Sequence, residues 1–399
     1  MTTARTATLR TTRAINDRLA LDLLAEHGPL TAARLRELTG LSRPSVSDLL
    51  RRLGRDGLVT VVGEAGENRR GPNARVYGLV ADRAHVAAFD VRTDSVAFVL
   101  ADLTGRTVGS AGLPVPGRGG RRVVTAVTDR LARVMKEAAV PSLHTTVMGA
   151  PGFADPATGA LRRVGLLPAW HGELLTALRT RLGAPVILEN EVNLAGLAEH
   201  RLGAVRDRDT FVLLWLGHGV GAAVVLGGTL RRGASGGAGE IGFLPVPGTG
   251  GLPSAEGCDQ GFHAMAGSAA VCALAREKGL AADAADDAAA AERVVREAAE
   301  RGEGAHAEFL EVLAGRVAVA AASVVCVLDP GCVVLGGEVG RAGGAPLAAQ
   351  VGRRLADLSP LPTEVRAATV DGSPVLGGAL TTALDTARQD VFSPGPDTV

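Results

Sequence analysis

Two groups of residues in this chain have the types and spacing to do chemistry. The first is Asn190 and Glu191, which close the apolar run of residues 185–188 within PVILENEVNLAGLAE. The β-branched run predicts a strand, and Leu194, Leu197 and Ala198 at helical spacing predict a helix after it. Such a junction delivers a carboxamide and a carboxylate at the carboxyl end of a strand, where an α/β sheet ordinarily takes its ligand. The helix N-terminus favours the negative charge. The chemistry this supports is polar recognition. The second group is Arg43, Ser45, Ser47 and Arg51 behind Ser42, followed by Arg69, Arg70 and Arg75. Hydroxyl and guanidinium groups of this kind hydrogen-bond phosphates and base edges.

The elements that must carry the second group are legible around it. Ile15, Leu19, Leu23 and Leu24 mark one face of a helix that Gly28-Pro29 ends. Thr31 is an N-cap for a second helix that Gly40 closes, and Ser42 caps a third with Pro44 in its first turn. Val46, Leu49, Leu50 and Leu53 fall on one face of that third helix, leaving Arg43, Ser45, Ser47, Asp48 and Arg51 on the other. Two short helices about a Gly turn predict a helix-turn-helix. The runs LVTVV and RVYGLV, joined by GEAGENRRGPNA, predict a two-stranded wing that places Arg69, Arg70 and Arg75 against DNA. A small helical domain with a solvated basic face is the plainer alternative; the agreement of caps, turn, apolar spacing and Arg-rich hairpin favours DNA.

Composition sets limits. The chain of 399 residues suggests two or three domains. Its 42 basic and 42 acidic residues cancel, yet the first 80 residues hold 13 Arg against 8 acids, so the excess positive charge lies where a polyanion would dock. Residues 1–14 predict a flexible basic arm, with a transit peptide as the weaker reading. Gly or charge interrupts every apolar stretch, so no membrane span is expected, and a cytoplasmic location is. Cys258, Cys272, Cys326 and Cys332 lack metal-type spacing; Cys326 and Cys332 predict small core residues.

Beyond residue 83 strands and helices alternate. HVAAFDV, SVAFVLADL and TVGSAGLPV, a helix over 121–139 and TTVMGAP form one series. TFVLLWLG, GVGAAVVLGG and EIGFLPV, long Ala-rich helices, CVVLGG, TEVRAATV and a last helix near 375–387 form another. Two hairpin-led α/β halves of similar order predict a duplicated fold with a cleft between, over residues 83–190 and 191–399, with the last helix returning to the first half.

On these motifs the chain resembles the ROK family of sugar kinases and sugar-responsive repressors. The resemblance implies an actin-like (ribonuclease-H-like) two-lobed ATPase fold of the α/β class, preceded by a winged helix-turn-helix over residues 15–80. A variant of the family's Gly-Arg-Pro wing stands at Arg70-Gly71-Pro72, and the family's kinases lack the segment. Glu191 stands where the kinases place the Asp that takes a proton from the sugar hydroxyl. One extra methylene displaces that carboxylate by about 1 Å, enough to cost roughly a hundredfold in rate. Gly152, Asn190 and Glu240 match pocket positions. Phe243 replaces a His, and His263 replaces a Glu, where an ordinary partly buried histidine is an equal reading.

The nucleotide turns are only partly kept. Val91-Arg92-Thr93-Asp94 after Asp90 has lost its glycines; LGHGVGAA keeps Gly217, Gly219 and Gly221 with His218 for Thr; Leu335-Gly336-Gly337 survives after Asp329-Pro330. Glycines in hairpins are also simply structural. The family's zinc site needs four donors, and only Cys258 and His263 remain, so no metal is expected. The reading is therefore a non-catalytic regulator, with neither cofactor nor metal. It binds double-stranded operator DNA as a homodimer or homotetramer and senses a sugar or related metabolite through Gly152, Asn190, Glu191, Glu240 and His263. An ATP-dependent sugar kinase with an added domain, and a regulator with a vestigial pocket, are its rivals.

Overall fold

The computed structural model describes residues 9–65, 73–116, 120–155, 158–162, 168–255, 257–280 and 287–393. The N-terminal domain comprises α1 (Leu9–His27), β1 (Leu30–Thr31), α2 (Ala32–Thr39), α3 (Arg43–Arg55), β2 (Val59–Ala65) and β3 (Ala74–Leu79). The caps stand as the sequence predicts: the Thr31 hydroxyl accepts from Arg34 N, the Ser42 hydroxyl from Ser45 N, and Gly40 ends α2 in the left-handed region. Val46, Leu49, Leu50 and Leu53 are all buried. A three-stranded sheet in the order β1-β3-β2 completes the winged helix.

Two expectations here need correction. Residues 9–14 are helical, because α1 starts at Leu9. The buried face of α1 is Ala20, Leu21 and Leu24, while Ile15 and Leu19 are 59% and 40% exposed. The buried apolar contacts of α1 lie in its C-terminal half, whereas its N-terminal half meets α3 through polar groups such as the Asp17–Arg52 pair, so the apolar stripe outruns its cover.

The first lobe runs β4 (His85–Val91), β5 (Ser95–Asp102), β6 (Thr107–Pro114), α4 (Arg121–Glu137), β7 (Thr145–Ala150), the short pair β8 (Phe153–Ala154) and β9 (Leu161–Arg162), α5 (Trp170–Leu182), β10 (Val186–Asn190) and α6 (Glu191–Leu202). The second runs β11 (Phe211–Leu216), β12 (Val220–Leu226), β13 (Thr229–Leu230), α7 (His263–Ala266), α8 (Ser268–Glu277), α9 (Ala288–Arg301), α10 (Gly304–Leu328), β14 (Cys332–Gly336), α11 (Gly337–Leu358), β15 (Glu364–Ala367) and α12 (Pro374–Val391). The sheets are β10-β7-β4-β5-β6 and β13-β12-β11-β14-β15. Each is an antiparallel meander of three strands extended by two parallel ones on the far side of its first strand. The duplication is thus one strand order used twice, and α12 returns to pack on α6, β4 and β7 of the first lobe.

Three further expectations change. The run EIGFLPV forms one 3₁₀ turn at Ile241–Phe243, and the third strand of the second sheet is the two-residue β13. Ala222 N donates to the carbonyl of Gly239, so the chain crosses β12 at a point rather than pairing along it. Cys332 is buried in β14, whereas Cys326 is exposed. On α10 the buried positions 314, 317, 318, 321 and 325 leave 326 about 80° round the helix from the nearest of them. Finally, α10 is long and apolar enough by length and composition to cross a bilayer. In the fold one face of it carries the core of the second lobe, including Phe309, Leu313 and Val317.

Candidate functional site

The basic face of the winged helix is assembled from three elements. Arg43, Ser47 and Arg51 succeed each other at i, i+4 and i+8 on α3, so they form one stripe. With Ala32, Ala33 and Arg36 of α2 and Arg75 and Tyr77 of β3, they line a concavity of about 670 Å³. Four guanidinium groups converge there. Ser45 lies about 120–160° round the helix from the stripe, its hydroxyl 2.8 Å from that of Ser42, and lines a separate shallow depression with Arg13, Asn16 and Asp48. The expected contact set therefore divides: Arg43, Ser47, Arg51 and Arg75 come together, and Ser42 and Ser45 serve the cap. Arg69 and Arg70 lie outside the described residues. Arg36 was missed; its signal was an exposed Arg one turn before the Gly40 cap, on the helix preceding α3.

The stripe is held in charge balance. Asp48 accepts from both Arg51 and Arg52, and Arg52 reaches Asp17 of α1 at 2.7 Å. The Arg51 hydrogen bond holds the Asp48 carboxyl below its usual range. Asp48 thereby orients Arg51 and also withholds part of its charge.

At the carboxyl end of β10, Asn190 is the N-cap of α6. Its Oδ1 accepts from Val192 N at 2.8 Å and Asn193 N at 3.2 Å, while Nδ2 donates to the Gly152 carbonyl at 3.0 Å. Gly152 has φ +101°, a conformation that favours Gly. Glu191 opens α6 beside it. Burial, with the charges of Asp90 and Glu240 nearby, pushes its carboxyl up to about 8, against its own backbone N–H and Arg92. Burial likewise raises Glu240. His263 is lowered by burial, with His218 beside it adding to the shift. Asn190, Glu191, Glu240 and Gly152 thus share one neighbourhood, while His263 stands with His218 at the turn after β11.

Sequence reasoning missed two supports. Glu189, 3% exposed, accepts from Asn190 N at 2.9 Å and Asn193 Nδ2 at 2.8 Å and pairs with Arg232 of the second lobe at 2.6 Å. Glu199, 1% exposed, accepts from the backbone N–H of Ala204, Thr369 and Val370. An acid next to the strand end and another on a helix face were visible, but their partners lie far off in sequence.

Neither group implied by the resemblance fits the residues present. No cluster of three or more His, Cys, Asp and Glu able to hold a metal ion occurs among the described residues. Phe262, next to the candidate donor His263, is fully buried in the apolar core of the second lobe. At the nucleotide turns, Arg92 pairs with Asp90 at 3.3 Å and with Glu338 at 2.9 Å. The Glu338 Oε2 presses on Gly217 so closely that a Cβ there would overlap it. An ion pair therefore joins the turn after β4 to the first turn of α11.

A winged helix set on two duplicated mixed sheets defines a two-lobed regulator-like architecture. A model of the ROK family matches residues 86–385, and one of the MarR family matches residues 12–71. The chain belongs to the ROK family. It is 23% identical over 337 residues to the DNA-binding transcriptional dual regulator NagC of Escherichia coli, covering 82% of this chain and 80% of that one. It is 39% identical over 163 residues to the bifunctional enzyme NanE/NanK of Brucella melitensis, covering 41% of this chain and only 28% of the enzyme. Among solved structures, a ROK family transcriptional regulator homologous to the E. coli MLC protein superposes with a TM-score of 0.74 at 17% identity, covering 96% of this chain and all of that one. A ROK glucokinase from Streptomyces griseus with glucose and AMPPNP gives 0.59 at 25% identity, covering 77% of this chain and 100% of the kinase.

Proposed function

We propose that this protein is a transcriptional regulator that binds duplex DNA through its winged helix and senses a sugar or related metabolite in the cleft, without phosphoryl transfer. The observation that carries the reading is the concavity lined by Arg36, Arg43, Arg51 and Arg75, flanked by Ser47 on the exposed face of α3. Guanidinium groups around a helix of this size suit phosphates on both sides of a major groove. One such helix reads few bases, so a two-fold dimer is expected to double the site. Similarity to NagC over four-fifths of both chains supports this reading, as does the ion pair at the nucleotide turns.

The test is fluorescence anisotropy on duplexes tiling the protein's own upstream region, over a salt series. Sequence-selective binding whose logarithm falls linearly with the logarithm of salt is expected. Arg75→Ala should weaken binding to all duplexes and reduce the slope by about 1, as for one lost phosphate contact. An unchanged slope would remove Arg75 from the interface, and absence of any binding at low salt would end the reading. The kinase alternative draws on Glu191, whose raised pKa would suit a base near neutral pH. Coupled ADP release with a hexose panel separates the two, and turnover above background would favour the enzyme.

A further inference from the structure

The three turns that the family resemblance assigns to a nucleotide meet at one ion pair. Arg92 lies in the turn between β4 and β5, Gly217 in the matching turn between β11 and β12, and Glu338 at the first turn of α11, directly after Gly336-Gly337. The Arg92 backbone is fixed on both sides: its N–H donates to the Ser95 carbonyl at 2.8 Å, and its carbonyl is 3.2 Å from Nε2 of the fully buried His171. From this anchored position the guanidinium takes Asp90 of its own lobe and Glu338 of the other. Asp90 is 5% exposed, and its Oδ2 also accepts from the Ser373 hydroxyl at 3.0 Å. That hydroxyl in turn accepts from Leu376 N as the N-cap of α12.

The far end of α12 meets the winged helix. With 18 residues it spans roughly 27 Å. Along the way it is locked to its neighbours, because a Cβ at Gly378 would overlap the Leu194 carbonyl of α6 and one at Gly149 would overlap Val375. At its end Arg388 donates to the Leu103 carbonyl at 3.0 Å and 3.2 Å. Arg18 of α1 donates to the Arg388 carbonyl at 3.4 Å and lies 5.4 Å from the Phe392 ring centroid. One apolar cluster runs through Leu21, Leu24, Ala383, Ala387 and Phe392.

We propose that Arg92 and Glu338 form an interlobe clasp at the meeting point of the three turns, and that α12 carries the state of the clasp to α1 of the winged helix. The device is independent of which ligand enters the cleft and of which DNA is bound. Closing the lobes makes the pair; parting them leaves Arg92 held by Asp90 alone, so that Asp90, which accepts from the Ser373 cap of α12, shifts with it and loosens that cap. A close-packed helix passes that change on as a rigid body rather than absorbing it.

Hydrogen exchange followed by mass spectrometry on the full chain, without ligand or DNA, tests this with Glu338→Gln, Arg92→Gln and the double variant. Each single variant is expected to raise exchange at least about threefold in residues 374–378 and in residues 15–24, with the double variant no larger than either single. An increase confined to residues 336–341, or single effects that add in the double, would overturn the proposal. Should a variant fail to fold, Ser373→Ala keeps the clasp and cuts its link to α12. Raised exchange in residues 15–24 is then expected with the Glu338 turn unchanged, and a silent α1 would overturn it.

Discussion

The two five-stranded sheets share a strand order, yet the turns after their first strands have opposite characters. In the first lobe the β4–β5 turn is Arg92-Thr93-Asp94, built of side chains that reach outward. In the second the β11–β12 turn is Gly217-His218-Gly219, where Gly217 yields room to the Glu338 carboxylate. One turn donates a charge across the cleft and the other makes space for its partner. The difference teaches that topology and turn chemistry are under separate physical control: hydrogen-bond register fixes the sheets, whereas single side chains decide what the turns can hold.

The sharpest way to break the contrast is at the glycine side. Gly337 has φ +75°, and a Cβ there would overlap the backbone of Leu216. Gly337→Val is expected to cost more than about 3 kcal/mol and to lower the melting temperature of the second lobe by roughly 10 °C, read by differential scanning calorimetry. A shift under about 2 °C would mean the turn relaxes freely.

Glu191 gives an intermediate effect. Its folded value of about 8 lies above the ordinary 4.5, so the folded chain keeps a proton that the unfolded chain has released. This contribution favours the fold below pH 4.5 and is lost as pH rises through about 8. Melting temperature should fall over that window, and Glu191→Gln should flatten the fall by about 3 °C or more, with the raised Glu240 leaving a residual slope. Parallel curves for the two proteins would place Glu191 in water.

A smaller effect belongs to the winged helix. Asp48→Asn frees Arg51 and should tighten binding to nonspecific duplex by about threefold at low salt, measured by anisotropy. The smallest is at the first-lobe turn itself. Thr93 is exposed, and Thr93→Ala should leave the melting temperature within about 1 °C. A large loss there would show that this turn is as constrained as its counterpart.

Local features are legible in the sequence. The Thr31 and Ser42 caps, the Gly40 stop, the buried face of α3 and the strand that ends at Asn190 each depend on neighbours within a few residues. The paired lobes were readable because a hairpin-led alternation of strands and helices occurs twice along the chain, whereas the strand order within each sheet was not. What escaped was set by distant partners. Arg92 and Glu338 are 246 positions apart, Glu189 and Arg232 are 43 apart, and Glu199 meets amides 170 and 171 positions on. Ile15 and Leu19 misled because periodicity reports an apolar face and not what covers it. Arg69 and Arg70, expected in the wing, lie outside the described residues.

Glu199 has a mechanical consequence. One nearly water-free carboxylate holds the amides of Thr369 and Val370, which lead into α12, together with that of Ala204, which follows α6. Pulling these strands of chain apart would strand a negative charge in oil, at a cost of several kcal/mol. The two helices therefore travel as a single piece, and whatever disturbs the entrance of one disturbs both.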